Sequence, residues 1–263
     1  MNIDDMKIYV TTSNDYVHIL KVFSHLFNKF WDPTRKVTIV GFEKEPDFQL
    51  PSNFDFVSIG KQIYPYEDFC HDMRLFLDIV DDDYFISFEE NEFIIKPVNF
   101  EILKEFEPYI NSNLGRVDFT RGTSDRSHGI LKKRRDYDII CATQDAELRM
   151  CIRGGIWNKK YLLDHCLEKI STYRWEEIAS NKSKNDGFNI LSSNHDWVIR
   201  NMDGVHHKSG QQLTDLSCLG VAGPMQRDSS WGVPLDEETI SELIDLSYIK
   251  RLPNGLFEIV KDD

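Results

Sequence analysis

The first hundred residues switch repeatedly between two hydrophobic rhythms. "KIYVTT" is a short β-branched run, followed by the polar residues Ser13-Asn14-Asp15. "YVHILKVFSHLFNKFW" then sets Val17, Leu20, Phe23, Leu26 or Phe27, and Phe30 at helical spacing. This predicts a helix with Asp15 as its N-cap and Pro33 beyond its end. "KVTIVGF" and "FDFVSIG" read as a second and a third strand. "YEDFCHDMRLFLDIV" is a helical pattern with Phe69, Met73, Phe76 or Leu77, and Val80 on one side. "YFISF" is a fourth strand, and "NFEILKEFEPYI" a helix capped by Asn99. Strands alternating with helices of roughly 10–15 residues predict a parallel, helix-covered sheet.

The rhythm is less regular afterwards. "NSNLGRVDFTRGTSDRSHGILKKRRD" is polar and basic and reads as containing a loop. "YDIICAT" and "ELRMCIRGG" read as two strands of a hairpin about Gln144-Asp145-Ala146, "WNKKYLLDHCLEKI" as a helix and "RWEEIASNKSKNDG" as a loop. "NILSS", "WVIRNM" and "VHHK" are short strands, the last two joined at Asp203-Gly204, and "DEETISELIDL" is a helix capped by Asp236. The expected fold class is α/β. It has a Rossmann-like mixed sheet with helices on both faces and an antiparallel C-terminal layer. One domain covers 1–263, with an N-terminal half 1–110 and a second half 111–263.

Composition narrows the function classes. A chain of 263 residues is long enough to bury a large core, and 41% hydrophobic with 29% charged residues is ordinary for a globular protein. A net charge of −13 argues against coating nucleic acid or binding an anionic membrane surface. Cys70, Cys141, Cys151, Cys166 and Cys218 form no C-x-x-C pair and read as reduced core thiols. The N-terminus has no apolar signal core and no window approaches roughly 18 apolar residues, so a cytoplasmic location without a transmembrane segment is expected.

In a parallel sheet, ligands bind beyond the carboxyl ends of strands. That rule singles out Thr11, Thr12 and Ser13 after the first strand and Glu89-Glu90-Asn91-Glu92 after the fourth. The acidic group either is a solvated turn or holds a divalent cation against a ligand's diphosphate, with Asn91 as a neutral oxygen donor. Asp81-Asp82-Asp83, at the strand's other end, read as a turn. Trp175-Glu176-Glu177 offers a carboxylate beside an indole, a pairing suited to a general base with a stacking surface for a sugar, or simply two solvated glutamates. His206 and His207 alternate on a strand, as core residues or with one reaching a metal. The Lys132-to-Arg135 run either grips phosphate or is solvated. No P-loop, G-x-G-x-x-G or G-x-S-x-G pattern is present.

In order, "KIYVTTSNDYVHILKVFSHLFNKFW", "DMRLFLDIVDDDYFISFEENEFIIKPVN", "IRGGIWNKKYLL" and "YRWEEIAS" resemble the GT-A-type nucleotide-sugar glycosyltransferases of marine phages, large DNA viruses and bacteria. The likeness spans roughly residues 7–210. It implies a GT-A-like fold, with a nucleotide-sugar-binding half and an acceptor-side half. It also implies transfer of a sugar from a nucleotide-diphosphate donor to a hydroxyl of a glycan or glycoprotein, with Mn²⁺ or Mg²⁺ on the diphosphate. The family's D-x-D-like metal motif falls on Glu90 and Asn91, with Glu92 able to substitute, and a histidine partner on His207 or His206. Asn91 is a departure, since the family carries an aspartate there. Thr11, Thr12, Ser13, Asp72, Arg74 and Trp175 match donor-side positions, and the base falls on Glu177 or its neighbour Glu176. The alternatives are a catalytically degenerate relative that binds glycan or a partner, and a sugar nucleotidyltransferase. The latter normally carries a Gly-rich basic signature after its first strand, which "TTSNDYVHILK" lacks.

Overall fold

The computed structural model describes residues 1–62, 69–119, 123, 126–167, 170–194, 230–231, 235–253 and 257–260. Nine strands form one mixed sheet: β1 (Ile8–Thr11), β2 (Val37–Gly41), β3 (Phe54–Ser58), β4 (Tyr84–Glu89), β5 (Leu114–Asp118), β6 (His128–Lys133), β7 (Asp138–Ala142), β8 (Gly155–Asn158) and β9 (Asn189–Ser193). Their order is β3-β2-β1-β4-β8-β5-β9-β7-β6. Strands β1 to β4 run parallel; β8 lies antiparallel between β4 and β5, and β7 antiparallel to β9. A smaller sheet joins β10 (Ser230–Trp231), β11 (Ile249–Arg251) and β12 (Phe257–Ile259).

The central strands are apolar on both faces, so helices can cover both. Ile8 and Val10 of β1 and Ile86 and Phe88 of β4 pack into one cluster, with α1 (Leu20–Phe30), α3 (Phe100–Lys104) and α6 (Glu237–Asp245). Tyr9 and Phe85, one residue out of phase, enter the other, with α2 (Phe69–Ile79), α4 (Lys159–Asp164) and α5 (Thr172–Lys182). Asn99 and Asp236 cap α3 and α6 as expected, each side chain accepting a first-turn amide.

Several expectations need correction. A 3₁₀ turn, Val17–Ile19, precedes α1, and no side chain caps that helix, so Asp15 is not its N-cap. The polar stretch read as containing a loop also holds two strands that reading did not name, β5, buried along its whole length, and β6. Its charge misled because Arg116 is neutralised in place: Nη2 sits 3.1 Å from Asp118, Nη1 donates to the Cys151 carbonyl, and the guanidinium lies 4.5 Å above the Trp157 ring. The hairpin joins β6 to β7, not β7 to residues 147–155. Residues 155–158, placed partly in a helix, form β8 between β4 and β5. Strands β5 to β9 therefore continue the first sheet, and the antiparallel strands at the C-terminal end are those of the small β10-β12-β11 sheet. The "RWEEIASNK" stretch, read as a loop, belongs to α5. "WVIRNM" and "VHHK" lie outside the described residues. The described cysteines Cys70, Cys141, Cys151 and Cys166 are free thiols, and Cys218 lies outside that set.

Candidate functional site

Two chain elbows meet where β1 and β4 end. Thr11 pairs with Glu89, the last residue of β4, and the Glu90 amide then donates to the Thr11 carbonyl at 3.1 Å. On the other side the Thr12 amide donates to the Val40 carbonyl at 3.0 Å. The backbone ladder thus runs into both elbows and fixes their spacing. Thr11, Thr12 and Ser13 form one wall of a cleft of about 230 Å³; Glu89, Glu90 and Asn91 form the next, and Asp72 joins them from α2. Its mouth opens to solvent, so a larger ligand can extend out of it.

The rest of the lining is mostly apolar, with Gln62 and Thr172 as its polar members. Phe42 and Ile59 come from the ends of β2 and β3, and Phe69, Met73 and Phe76 from α2. Ile152 and Thr172 close the far side. A cleft with an apolar side, part aromatic and part aliphatic, and an oxygen-rich side suits a ligand with a flat ring at one end and a polar chain at the other. Phe42, Ile59, Ile152 and Thr172 escaped the sequence reading. Only Thr172 carried a signal: Ser171-Thr172 is a helix-start pair ahead of an aromatic segment.

Glu90 is the most perturbed group here. It is 8% exposed, and no side-chain donor or cation partners its carboxyl among the described residues. Burial pushes its pKa from the ordinary 4.5 up to about 8, so at neutral pH it is mostly an uncharged acid. The Ser13 Oγ, by contrast, is buried without a hydrogen-bond partner. The neighbouring hydroxyls are engaged locally, Thr11 Oγ1 with the Phe88 carbonyl and Thr12 Oγ1 with the Ser13 carbonyl, at 3.4 and 3.3 Å.

The remaining candidates fall elsewhere. Glu92 is a staple within the fold: Oε2 accepts the Glu89 amide at 2.8 Å and Oε1 the Gly154 amide at 2.7 Å. It is 1% exposed and does not line the cleft. Trp175 is wholly buried; its indole donates to the His165 carbonyl at 2.8 Å and its ring leans on Phe69 at 5.1 Å. It supports the cleft wall and offers no face to a sugar. Arg74 points away, donating to the Cys166 carbonyl at 2.9 Å. Glu177 is exposed on α5 and lines a different depression, with Glu147, Ser180 and Lys184. Glu176 is nearer: Oε1 accepts the amide of Ile152, a cleft residue, at 2.8 Å. His206 and His207 lie outside the described residues.

The donor set bears on the implied cation. With Glu92 engaged by backbone amides and an amide at 91, no group of three or more histidine, cysteine, aspartate or glutamate side chains converges to hold a metal among the described residues. Nor does any described helix have the length and apolarity to cross a membrane.

No protein-family model matches the chain, and no curated protein matches it. Among solved structures, the crystal structure of S. aureus TarS is similar at a TM-score of 0.42 and 12% identity, covering 71% of this chain and 34% of that one. The chain thus spans about a third of the length of TarS. A likeness of that size speaks to neither ligand nor chemistry.

Proposed function

We propose that the chain is a GT-A-like glycosyltransferase that takes a sugar from a nucleotide-diphosphate donor to a hydroxyl of a glycan or glycoprotein. The observation that carries this reading is the meeting of the two elbows. Hydroxyls and acids from adjacent parallel strands face one cleft whose other half is aromatic. The aromatic half would take the nucleobase, and Thr11, Thr12, Ser13 and Asp72 the ribose and phosphates. The resemblance stated from sequence supports the same assignment.

For an inverting transfer, Glu176 is the base this reading selects. Glu176 does not itself line the cleft, but one of its carboxylate oxygens accepts the amide of Ile152, which does, and this places it beside the cleft wall. The acceptor O–H would lose its proton to Glu176 while its oxygen bonds to the anomeric carbon. The bond from that carbon to the diphosphate oxygen breaks, and the electron pair leaves with the diphosphate. Glu177 does not serve the role because it faces another depression.

A second reading has its own observation. No lysine or arginine appears among the described residues lining the cleft, and Asn91 stands where the family carries an acid. Both fit a degenerate relative that binds a neutral glycan. Incubation with a panel of nucleotide sugars, with and without Mn²⁺, separates the two. Release of nucleoside diphosphate, cut by about 100-fold or more in Glu176→Gln, is expected for the transferase. Glycan binding with no nucleotide binding would establish the alternative.

A further inference from the structure

One polar side chain of the cleft has its two ends assigned by the backbone around it. Gln62 lines the cleft, and its Oε1 accepts the Asn14 amide at 2.9 Å. A backbone amide only donates, so the oxygen of this side chain must face Asn14 and the nitrogen must face elsewhere. The Gln62 amide in turn donates to Glu43 Oε2 at 2.6 Å, and the Lys44 amide to Asn14 Oδ1 at 3.2 Å. These bonds tie together the segments that follow β1, β2 and β3. They fix Gln62 at its main chain and at its side-chain oxygen.

The nitrogen, Nε2, is left over: nothing among the described residues accepts from it. Its surroundings suit a ring. The Ile59 amide donates to the Gly41 carbonyl at 2.8 Å, which sets Ile59 at the Gly41-Phe42 peptide, and Phe42 and Ile59 line the cleft with Gln62. A flat ring seated against them meets in Gln62 a donor whose acceptor has been withdrawn. An unconstrained glutamine reads an amino-substituted base by pairing both its oxygen and its nitrogen. With the oxygen spent on Asn14, Gln62 offers a hydrogen to a ring carbonyl and has nothing for a ring amino group. An amino group placed there would oppose two donors and leave Nε2 unpaired.

We infer that Gln62 selects the base of the donor nucleotide. It favours a base with a ring carbonyl over one with an amino group in its place, uracil over cytosine or hypoxanthine over adenine. This rests on the nucleotide-sugar reading and adds to it the chemical class of the nucleotide. Gln62 touches the base and takes no part in sugar transfer.

The test is calorimetric, on the full chain with Mg²⁺ present. Uridine diphosphate is titrated against cytidine diphosphate, and inosine diphosphate against adenosine diphosphate. Each pair differs in a carbonyl for an amino group and carries equal charge. The wild type is expected to bind the carbonyl member about ten-fold more tightly. Gln62→Glu replaces the donor by an acceptor and keeps an oxygen for the Asn14 amide, so the fold should hold and the preference should vanish or reverse. The added charge weakens both members alike and cancels in their ratio. Gln62→Met removes the donor without adding charge, and the ratio should fall toward parity there too. A wild type indifferent to the exocyclic group, or variants that keep its preference, overturn the role of Gln62 and leave the nucleotide-sugar reading standing. A wild-type chain that binds no nucleoside diphosphate overturns both.

Discussion

Glu90 shows at the scale of one residue how placement overrides the ordinary chemistry of a side chain. The sequence offers four polar residues in a row, and nothing in their order separates the buried from the solvated. The fold does so by hydrogen bonding: Glu92 is consumed by two backbone amides from elsewhere in the chain, whereas Glu90 lines the cleft with only its own backbone amide beside its carboxyl. Its raised pKa has a consequence for stability. Between pH 4.5 and about 8 the folded chain keeps a proton on Glu90 that the unfolded chain has released. Its contribution is therefore fully present below the lower value and lost as pH rises through the upper one. Glu90→Gln, which cannot ionise, should gain on wild type by an amount on the order of a few kcal/mol between pH 5 and pH 8. Denaturant midpoints at the two pH values measure this. A wild-type-to-variant difference that does not change with pH would mean the carboxyl is not buried as described. Arg116 teaches the converse lesson. A charge inside a strand reads as a loop signal until its ion pair with Asp118 and its seat over Trp157 are known.

At the scale of elements, caps and alternation were legible because they are local. Asn99 and Asp236 stand where a first-turn amide needs an acceptor, and α1 and α2 fall between β1 and β2 and between β3 and β4 as the pattern requires. Asp236→Ala should cost about 1 kcal/mol, read as a shifted unfolding midpoint; no shift would mean that α6 starts elsewhere. Strands β5 and β8 were hidden because their evidence is non-local. Each is recognisable only from its neighbour across the sheet. Gly155 makes the dependence concrete: a Cβ there would sit 2.2 Å from the Val117 carbonyl oxygen on β5. Backbone cannot retreat as a side-chain tip can, so Gly155→Ala should part β8 from β5 and lower stability by about 2 kcal/mol or more. A midpoint within experimental error of wild type would contradict that packing. Helix α5 was obscured differently. Its polar composition resembles a loop, and the buried Trp175 that anchors it looks, in sequence, like an exposed stacking surface.

At the scale of the whole molecule, the order β3-β2-β1-β4 followed by an antiparallel β8 brings the hydroxyl elbow and the acidic elbow to one rim. That juxtaposition follows from sheet rules applied to sequence. The choice between Glu176 and Glu177 does not, because it depends on which side of α5 faces Ile152. Hydrogen exchange at a saturating nucleoside diphosphate tests the central claim most directly, by locating the ligand on the chain. The account predicts slowed exchange in peptides covering 11–16, 89–92 and 170–176, with the β6–β7 hairpin unchanged. Protection confined to the hairpin, or none at any nucleotide concentration, would contradict it.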